Sequence, residues 1–197
     1  MLWTRCIPHR GSVRQWLGAP GSLSAHLAGG GRVLSVQVLR QGLQALHPDE
    51  AQALGLPGTQ SGYVREVMLR VDGAAVVFAR SVTVPAQSRG PWRSIRGLGS
   101  RPLADVLFKR VTGIARTPLE FAVLQPASPL QRHVARAWQL ATGEALTAAA
   151  LPARRSVFMR RGAPLLVMEV FAAAQTPWCW PRAKVSASCP VLTRKKP

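Results

Sequence analysis

One segment, residues 64–85 (VREVMLRVDGAAVVFARSVTVP), restricts the fold of this chain more than any other. Asp72-Gly73 is a dipeptide typical of two-residue hairpin loops, so the segment predicts two antiparallel strands joined at that turn. Side chains alternate between the two faces of a strand. This alternation gives each strand a face that is apolar apart from one arginine, Arg65 on the first strand and Arg80 on the second.

The two arginines are predicted to lie opposite each other, because a two-residue loop pairs Val71 with Ala74. Like charges at directly opposing positions repel, and burial of even one unpaired charge is costly. We therefore expect an anionic group beside them, a carboxylate either of the protein or of a ligand. Two alternatives stay open: each arginine extends its charged end to the sheet edge, or a three-residue loop shifts one strand and separates the pair.

Short helical and strand patterns flank this hairpin on both sides. Helices are expected at 10–18, at 23–27 after an N-cap at Ser22, at 49–54, at 101–109 after an N-cap at Ser100, and from a capping box at Ser128. Further strands are expected at 32–41, at 112–124 with an edge or bulge at Pro118, and at 153–160 and 164–172 around a turn near Arg161-Gly162. About six strands and four or five short helices predict an α+β fold, in which one antiparallel sheet carries helices on one face.

The length of 197 residues suits one domain, which we assign to residues 1–174. Residues 175–197, with their prolines, tryptophans, cysteines and basic end, are expected to form a poorly ordered tail. The formal net charge of +18 predicts loose association with nucleic acid or acidic membranes and attraction of anionic substrates. No nucleic-acid-binding motif supports a specific nucleic acid partner.

Metal and cofactor signatures are missing from the sequence. The three cysteines and four histidines are scattered and unclustered, which argues against a disulfide framework or a zinc site and favours a cytoplasmic location. No apolar run reaches the ~18 residues that a transmembrane helix needs. The sequence also lacks a secretion signal, a glycine-rich phosphate loop and a nucleophile elbow.

Glu169 is the acidic residue with the least exposed sequence environment, because it lies inside the apolar strand PLLVMEVF. The other seven, among them Glu50 and Glu66, occupy positions where exposure is natural. A buried carboxylate needs a partner or a raised pKa. A two-residue turn at Arg161-Gly162 places Arg154 opposite Glu169, so a purely structural ion pair and a functional carboxylate are both open.

Leu23 and Leu103 fall in the first turns of two predicted helices. Backbone N–H groups there lack an intrahelical partner and bind anions well, although most leucines at helix starts are simply core residues. The two buried arginines, the buried carboxylate and the two helix N-termini together suggest a small cavity for an anionic organic molecule.

Five segments resemble the chorismate pyruvate-lyase family and occur in its order. They are WLGAPGSLSAHL (16–27), LSVQVLRQG (34–42), YVREVMLRVDGAAVVFARSVTVP (63–85), LGSRPLADVLF (98–108) and ARRSVFMRRGAPLLVMEVF (153–171). The resemblance covers roughly residues 12–172. Family members usually end soon after the glutamate strand, so the C-terminal segment departs from the pattern.

The resemblance implies a lyase that converts chorismate to 4-hydroxybenzoate and pyruvate, the first step towards the ring precursor of ubiquinone. It implies that Arg65 holds the ring carboxylate, that the main-chain amides of Leu23 and Leu103 bind the ligand, and that Glu169 hydrogen-bonds the ring hydroxyl. We place Arg80 and Arg154 behind these residues as supporting groups. The implied enzyme is a monomer and uses no metal or other cofactor. Two alternatives are a non-catalytic sensor domain of the same fold that binds a small anion, and a nucleic-acid-binding protein, which rests on charge alone.

Overall fold

A single antiparallel sheet of seven strands forms the centre of the computed structural model, which describes residues 3–58, 60–108, 113–147 and 150–172. The strands are β1 (Leu34–Ala45), β2 (Ser61–Val71), β3 (Ala74–Thr83), β4 (Ile114–Arg116), β5 (Glu120–Leu124), β6 (Leu151–Arg160) and β7 (Ala163–Phe171). Their order across the sheet is β1-β2-β3-β7-β6-β4, and β5 also pairs with β6. The predicted α+β class is confirmed, whereas the predicted tail at 175–197 lies outside the described residues.

All five predicted helices are present, but they cover both faces of the sheet. They are α1 (Gly11–Leu17), α2 (Leu23–Leu27), α3 (Pro48–Ala53), α4 (Ala104–Leu107) and α5 (Pro129–Thr142). Helices α3 and α5 pack on the face that carries Met68 and Val82, whereas α1 and α2 pack on the face that carries Val67. The prediction that the helices share one face is therefore wrong. Because the central strands are buried on both sides, each face needs its own apolar cover.

Helix α5 illustrates how far local sequence signals define an element. The Ser128 hydroxyl accepts a hydrogen bond from the Gln131 N–H at 3.3 Å, as the predicted cap requires. Leu130, Val134 and Trp138 form its buried stripe.

In contrast, α4 begins at Ala104 with Leu103 as its N-cap, so the N-cap predicted at Ser100 is wrong. None of the helices among the described residues is both long enough and apolar enough to cross a membrane.

The central hairpin, β2–β3, has the predicted turn but a different register beyond it. Asp72 and Gly73 have φ values of 50° and 85°, as a type I′ turn requires. The register then shifts between Leu69 and Arg70, because β3 contributes one extra residue, a β-bulge at Val76.

This bulge separates the two arginines. Arg65 lies opposite Ser81, and Arg80 lies opposite Glu66. The predicted pairing of Arg65 with Arg80 is therefore wrong. Since successive side chains point to opposite faces, a one-residue shift moves Arg80 to the face covered by α3 and α5.

The second hairpin, β6–β7, follows its prediction throughout. Arg161 and Gly162 form the turn with φ values of 51° and 74°. Arg154 pairs with Glu169, as expected. Beside β6, the single strand predicted at 112–124 is instead two strands, β4 and β5, and Pro118 lies in the segment between them. The edge position predicted from Pro118 is confirmed for β4.

Candidate active site

A cavity lies between the sheet face that carries Val67 and the helices α2 and α4. Its empty volume is about 670 Å³, including the part that opens to solvent. Its apolar lining includes Leu23, Val36, Val67, Leu69, Ala79, Leu103, Leu107, Phe108, Leu119, Phe158 and Val167. Arg65, Arg116 and Glu169 place charged groups among these side chains.

Arg65 brings a positive charge into this cavity, and no carboxylate among the described residues forms a salt bridge with it. The residue is 3% exposed. Its Nη2 donates to the carbonyl oxygens of Gly99 at 2.8 Å and Arg101 at 3.2 Å. Its Nε is buried and has no hydrogen-bond partner among the described residues. Burial lowers the pKa of the guanidinium, and the charge of Tyr63 raises it by less. An anion in the cavity would supply the missing partner.

Glu169 is held on one side by Arg154. The Arg154 Nε lies 2.5 Å from Oε2 of Glu169, and its Nη1 donates to the carbonyl oxygens of Leu17, the last residue of α1, and Ala19. The other carboxylate oxygen, Oε1, accepts no hydrogen bond from a described residue. The ion pair expected from the sequence is therefore present. It fixes one oxygen and leaves the other available at the cavity.

Leu23 and Leu103 lie where α2 and α4 begin, and both line the cavity. The Ser22 hydroxyl accepts a hydrogen bond from Ala25 N–H at 3.1 Å, which fixes the start of α2. The Leu23 side chain is also part of the core. The core role and the proposed backbone role are therefore compatible at this residue.

Arg80 also borders the cavity, but its guanidinium is bound by the protein's own carboxylates. Its Nε lies 2.6 Å from Oε1 of Glu50, and its Nη1 lies 2.5 Å from Oε1 of Glu66. Nε2 of His133 lies 2.7 Å from the same Glu66 oxygen. For Arg80, the expected anionic group is thus a carboxylate of the protein.

The expectation that Glu50 and Glu66 are exposed is wrong, since they are 1% and 3% exposed. Burial raises the pKa of Glu66, but the hydrogen bond and charge of His133 and the charge of Arg80 lower it more, so that it lies below its usual value. For Glu50, the sequence signal was its spacing of three residues from His47, which is the spacing of a capping box. In the structure its side chain closes the capping box of α3 by accepting from His47 N–H at 2.9 Å.

Arg116 is a cavity residue that the sequence analysis missed. Its Nε donates to the Ser156 hydroxyl at 2.9 Å, and its Nη1 donates to the Gly21 carbonyl at 3.3 Å. Its guanidinium carbon lies 5.1 Å from the ring centroid of Phe158. The only available sequence signal was its position two residues before Pro118 on the expected edge strand, which does not show which way the side chain points.

Comparison with known proteins agrees with this architecture. The family described as chorismate lyase matches residues 4–185. A probable chorismate pyruvate-lyase of Albidiferax ferrireducens is 64% identical over 196 residues, which are 100% of this chain and 99% of the relative. Another, of Aromatoleum aromaticum, is 45% identical over 165 residues, which are 84% of this chain and 85% of the relative.

Among solved structures, the effector domain of PhnF from Mycobacterium smegmatis is similar, with a TM-score of 0.51 at 18% identity over 78% of this chain and 89% of that one. At this identity the likeness concerns the fold alone. The family match and the 64% identical relative decide membership: the chain belongs to the chorismate lyase family.

Proposed function

We propose that this chain eliminates pyruvate from chorismate and releases 4-hydroxybenzoate, the ring precursor of ubiquinone. The observation that carries the proposal is the buried Nε of Arg65, which has no hydrogen-bond partner among the described residues and belongs to a side chain that lines the same apolar cavity as Glu169. A monocyclic carboxylate that carries a hydroxyl group would complement both residues. Family membership supplies the identity of that ring.

The spacing of the two residues suits such a ligand. Arg65 is on β2 and Glu169 is on β7, with β3 between them. Two strand spacings of ~4.8 Å place the strands about 10 Å apart, and both residues line the same cavity. Arg65 would bind the ring carboxylate through its free donors, while Oε1 of Glu169 would accept from the ring hydroxyl. The N–H groups of Leu23 and Leu103 would contribute further hydrogen bonds at the helix starts.

The reaction is an internal elimination. The ether bond between the ring and the enolpyruvyl group breaks, and the bonding pair leaves with the enolpyruvate. The hydrogen on the hydroxyl-bearing ring carbon leaves as a proton, which lets the ring become aromatic, and the enolpyruvate takes up a proton to become pyruvate. Glu169 would polarise the hydroxyl group and accept a proton. The apolar walls would exclude water and hold a reactive conformer.

The first test is to incubate the purified chain with chorismate and quantify pyruvate and 4-hydroxybenzoate together. We expect equal amounts of both, above the spontaneous rate, and at least a tenfold loss in Arg65→Ala and in Glu169→Gln. Arg132→Ala, at an exposed site on α5, is the matched control and should keep full activity. Unchanged turnover in either cavity variant would remove that residue from the mechanism.

Binding without turnover would point to the sensor alternative instead. In that case wild-type protein would bind 4-hydroxybenzoate in a titration but release no pyruvate from chorismate. We further propose that the chain acts as a monomer. A sedimentation experiment that gives a single species near 21.2 kDa would agree with this.

A further inference from the structure

Arg116 is a second cation that lines the cavity. None of the described acidic side chains forms a salt bridge with it. Its hydrogen bonds go to the Ser156 hydroxyl and the Gly21 carbonyl, both of them neutral groups. Burial lowers the pKa of its guanidinium, the nearby charge of Arg154 lowers it further, and the charge of Glu169 raises it. A bound anion would relieve this cost.

The hydrogen bonds of Arg116 place its guanidinium near Glu169. Arg116 is the last residue of β4, at the sheet edge. Its hydrogen bond to the Ser156 hydroxyl places its Nε over the neighbouring strand β6. Ser156 pairs with Val167, which lies two residues from Glu169 on the same face of β7. The cavity therefore has Arg65 on one side of Glu169 and Arg116 on the other.

We propose that Arg116 binds the enolpyruvyl carboxylate of chorismate, an inference that rests on the proposed function. Chorismate has two carboxylates, one on the ring and one on the enolpyruvyl group. The enolpyruvyl group is attached to the ring carbon next to the one that carries the hydroxyl. When Arg65 holds the ring carboxylate and Glu169 the hydroxyl, the second carboxylate falls beside Glu169, where the guanidinium of Arg116 lies.

The contact between Arg116 and the carboxylate would hold the leaving group of the reaction, the enolpyruvate. As the ether bond breaks, the bonding pair moves onto the enolpyruvate, which gains negative charge. A guanidinium already bound to its carboxylate would stabilise that charge. The product 4-hydroxybenzoate lacks this carboxylate. Arg116 should therefore contribute to the binding and turnover of chorismate and contribute little to the binding of the product.

This difference between substrate and product defines the test. We would measure kcat/KM for chorismate and, by calorimetry, the Kd for 4-hydroxybenzoate in wild type, Arg116→Gln, Arg116→Lys and Arg65→Ala. Arg116→Gln should lower kcat/KM about 10- to 100-fold, as expected for loss of a charged hydrogen bond, and should change the Kd for 4-hydroxybenzoate less than about twofold. Arg116→Lys should recover part of the loss because it keeps the charge. Arg65→Ala should weaken both quantities.

The same measurements separate the possible failures. Arg116 also bonds Gly21, which lies two residues before Leu23, so a structural role would weaken product binding as much as turnover. A parallel loss of both quantities in Arg116→Gln, or a loss of neither, would overturn the proposal. Absence of turnover in wild-type protein would instead overturn the proposed function, whatever the variants do.

Discussion

Arg65 combines near-complete burial with a charge that no described carboxylate balances. Such a group lowers the stability of the ligand-free protein, and a bound anion would restore that stability. We expect Arg65→Met to change the free energy of unfolding of the free protein by less than about 1 kcal/mol, because relief of the buried charge offsets the two lost hydrogen bonds.

In wild type, 4-hydroxybenzoate should raise Tm, and the variant should lose this rise. Thermal unfolding of both proteins, with and without the ligand, measures both effects. A large loss of stability in the free variant would show that Arg65 is chiefly a structural residue.

Arg154 links Glu169 to the end of α1 through its carbonyl contacts. We expect Arg154→Met to lower the free energy of unfolding by about 2–4 kcal/mol, because it leaves those carbonyl groups and one carboxylate oxygen without their donor. It should also lower kcat, since the carboxylate of Glu169 is no longer fixed. Denaturant unfolding and steady-state kinetics measure the two effects. Unchanged kcat in a folded variant would contradict a positioning role for Arg154.

Glu66 should make stability depend on pH at the acid end. Its pKa in the folded protein lies below its usual value, so its contribution is complete above the unfolded pKa of about 4.3 and is lost as the pH falls through the lower folded value. We expect Glu66→Gln to be clearly less stable than wild type at pH 7, with the difference shrinking below about pH 4. Urea unfolding at both pH values tests this, and a constant difference would contradict it.

At the scale of elements, the bulge in β3 determines which charges meet. With the unbulged register, Arg80 would oppose Arg65. With Val76 as the extra residue, Arg80 instead reaches Glu66 and Glu50. The bulge therefore replaces a repulsive pair with an ion-paired cluster. The turn is encoded by two adjacent residues, whereas the bulge depends on how the whole strand packs against α3 and α5.

The turn itself can be tested through Gly73. Its φ of 85° lies in the left-handed region, which residues with a side chain rarely adopt. An added Cβ would meet nothing within 4 Å, so backbone strain is the cost to be measured. We expect Gly73→Ala to cost about 1 kcal/mol of stability through backbone strain alone. The control is Gly97→Ala, where the added Cβ also meets open space and φ is not in the left-handed region. Equal unfolding midpoints for the two variants would contradict this reason.

At the scale of the whole molecule, the net charge of +18 bears on how a dianionic substrate arrives. A strongly positive protein attracts such a substrate over distances that salt screens. We expect kcat/KM for chorismate to fall several-fold between about 10 mM and 500 mM NaCl, while kcat changes less. Stopped-assay kinetics across this range, with sucrose as an uncharged control, would measure it. A kcat/KM that is independent of salt would mean that the charge serves another purpose.

Local patterns in the sequence were sufficient for most of the elements and for part of the site. Two kinds of feature depend on residues that are close along the chain: the glycine-containing turns, and the helix starts at Ser128, Leu23 and Leu103. The pairing of Arg154 with Glu169 follows from counting residues outward from a two-residue turn. The family prediction, which rests on five short segments in order, is confirmed. The cytoplasmic location, the monomeric state and the tail at 175–197 stay predictions.

Contacts between distant segments decided the rest. Burial of Glu50 and Glu66 around Arg80 depends on α3 packing over the sheet, which their neighbours in the sequence do not reveal. Arg116 joins Arg65 and Glu169 only because the edge strand, β6 and β7 lie side by side. The sequence by itself thus determined the elements and the family through short-range patterns and motif order. Only the tertiary structure decided which charges are paired among the described residues and which have no described carboxylate partner, because pairing depends on distances in space.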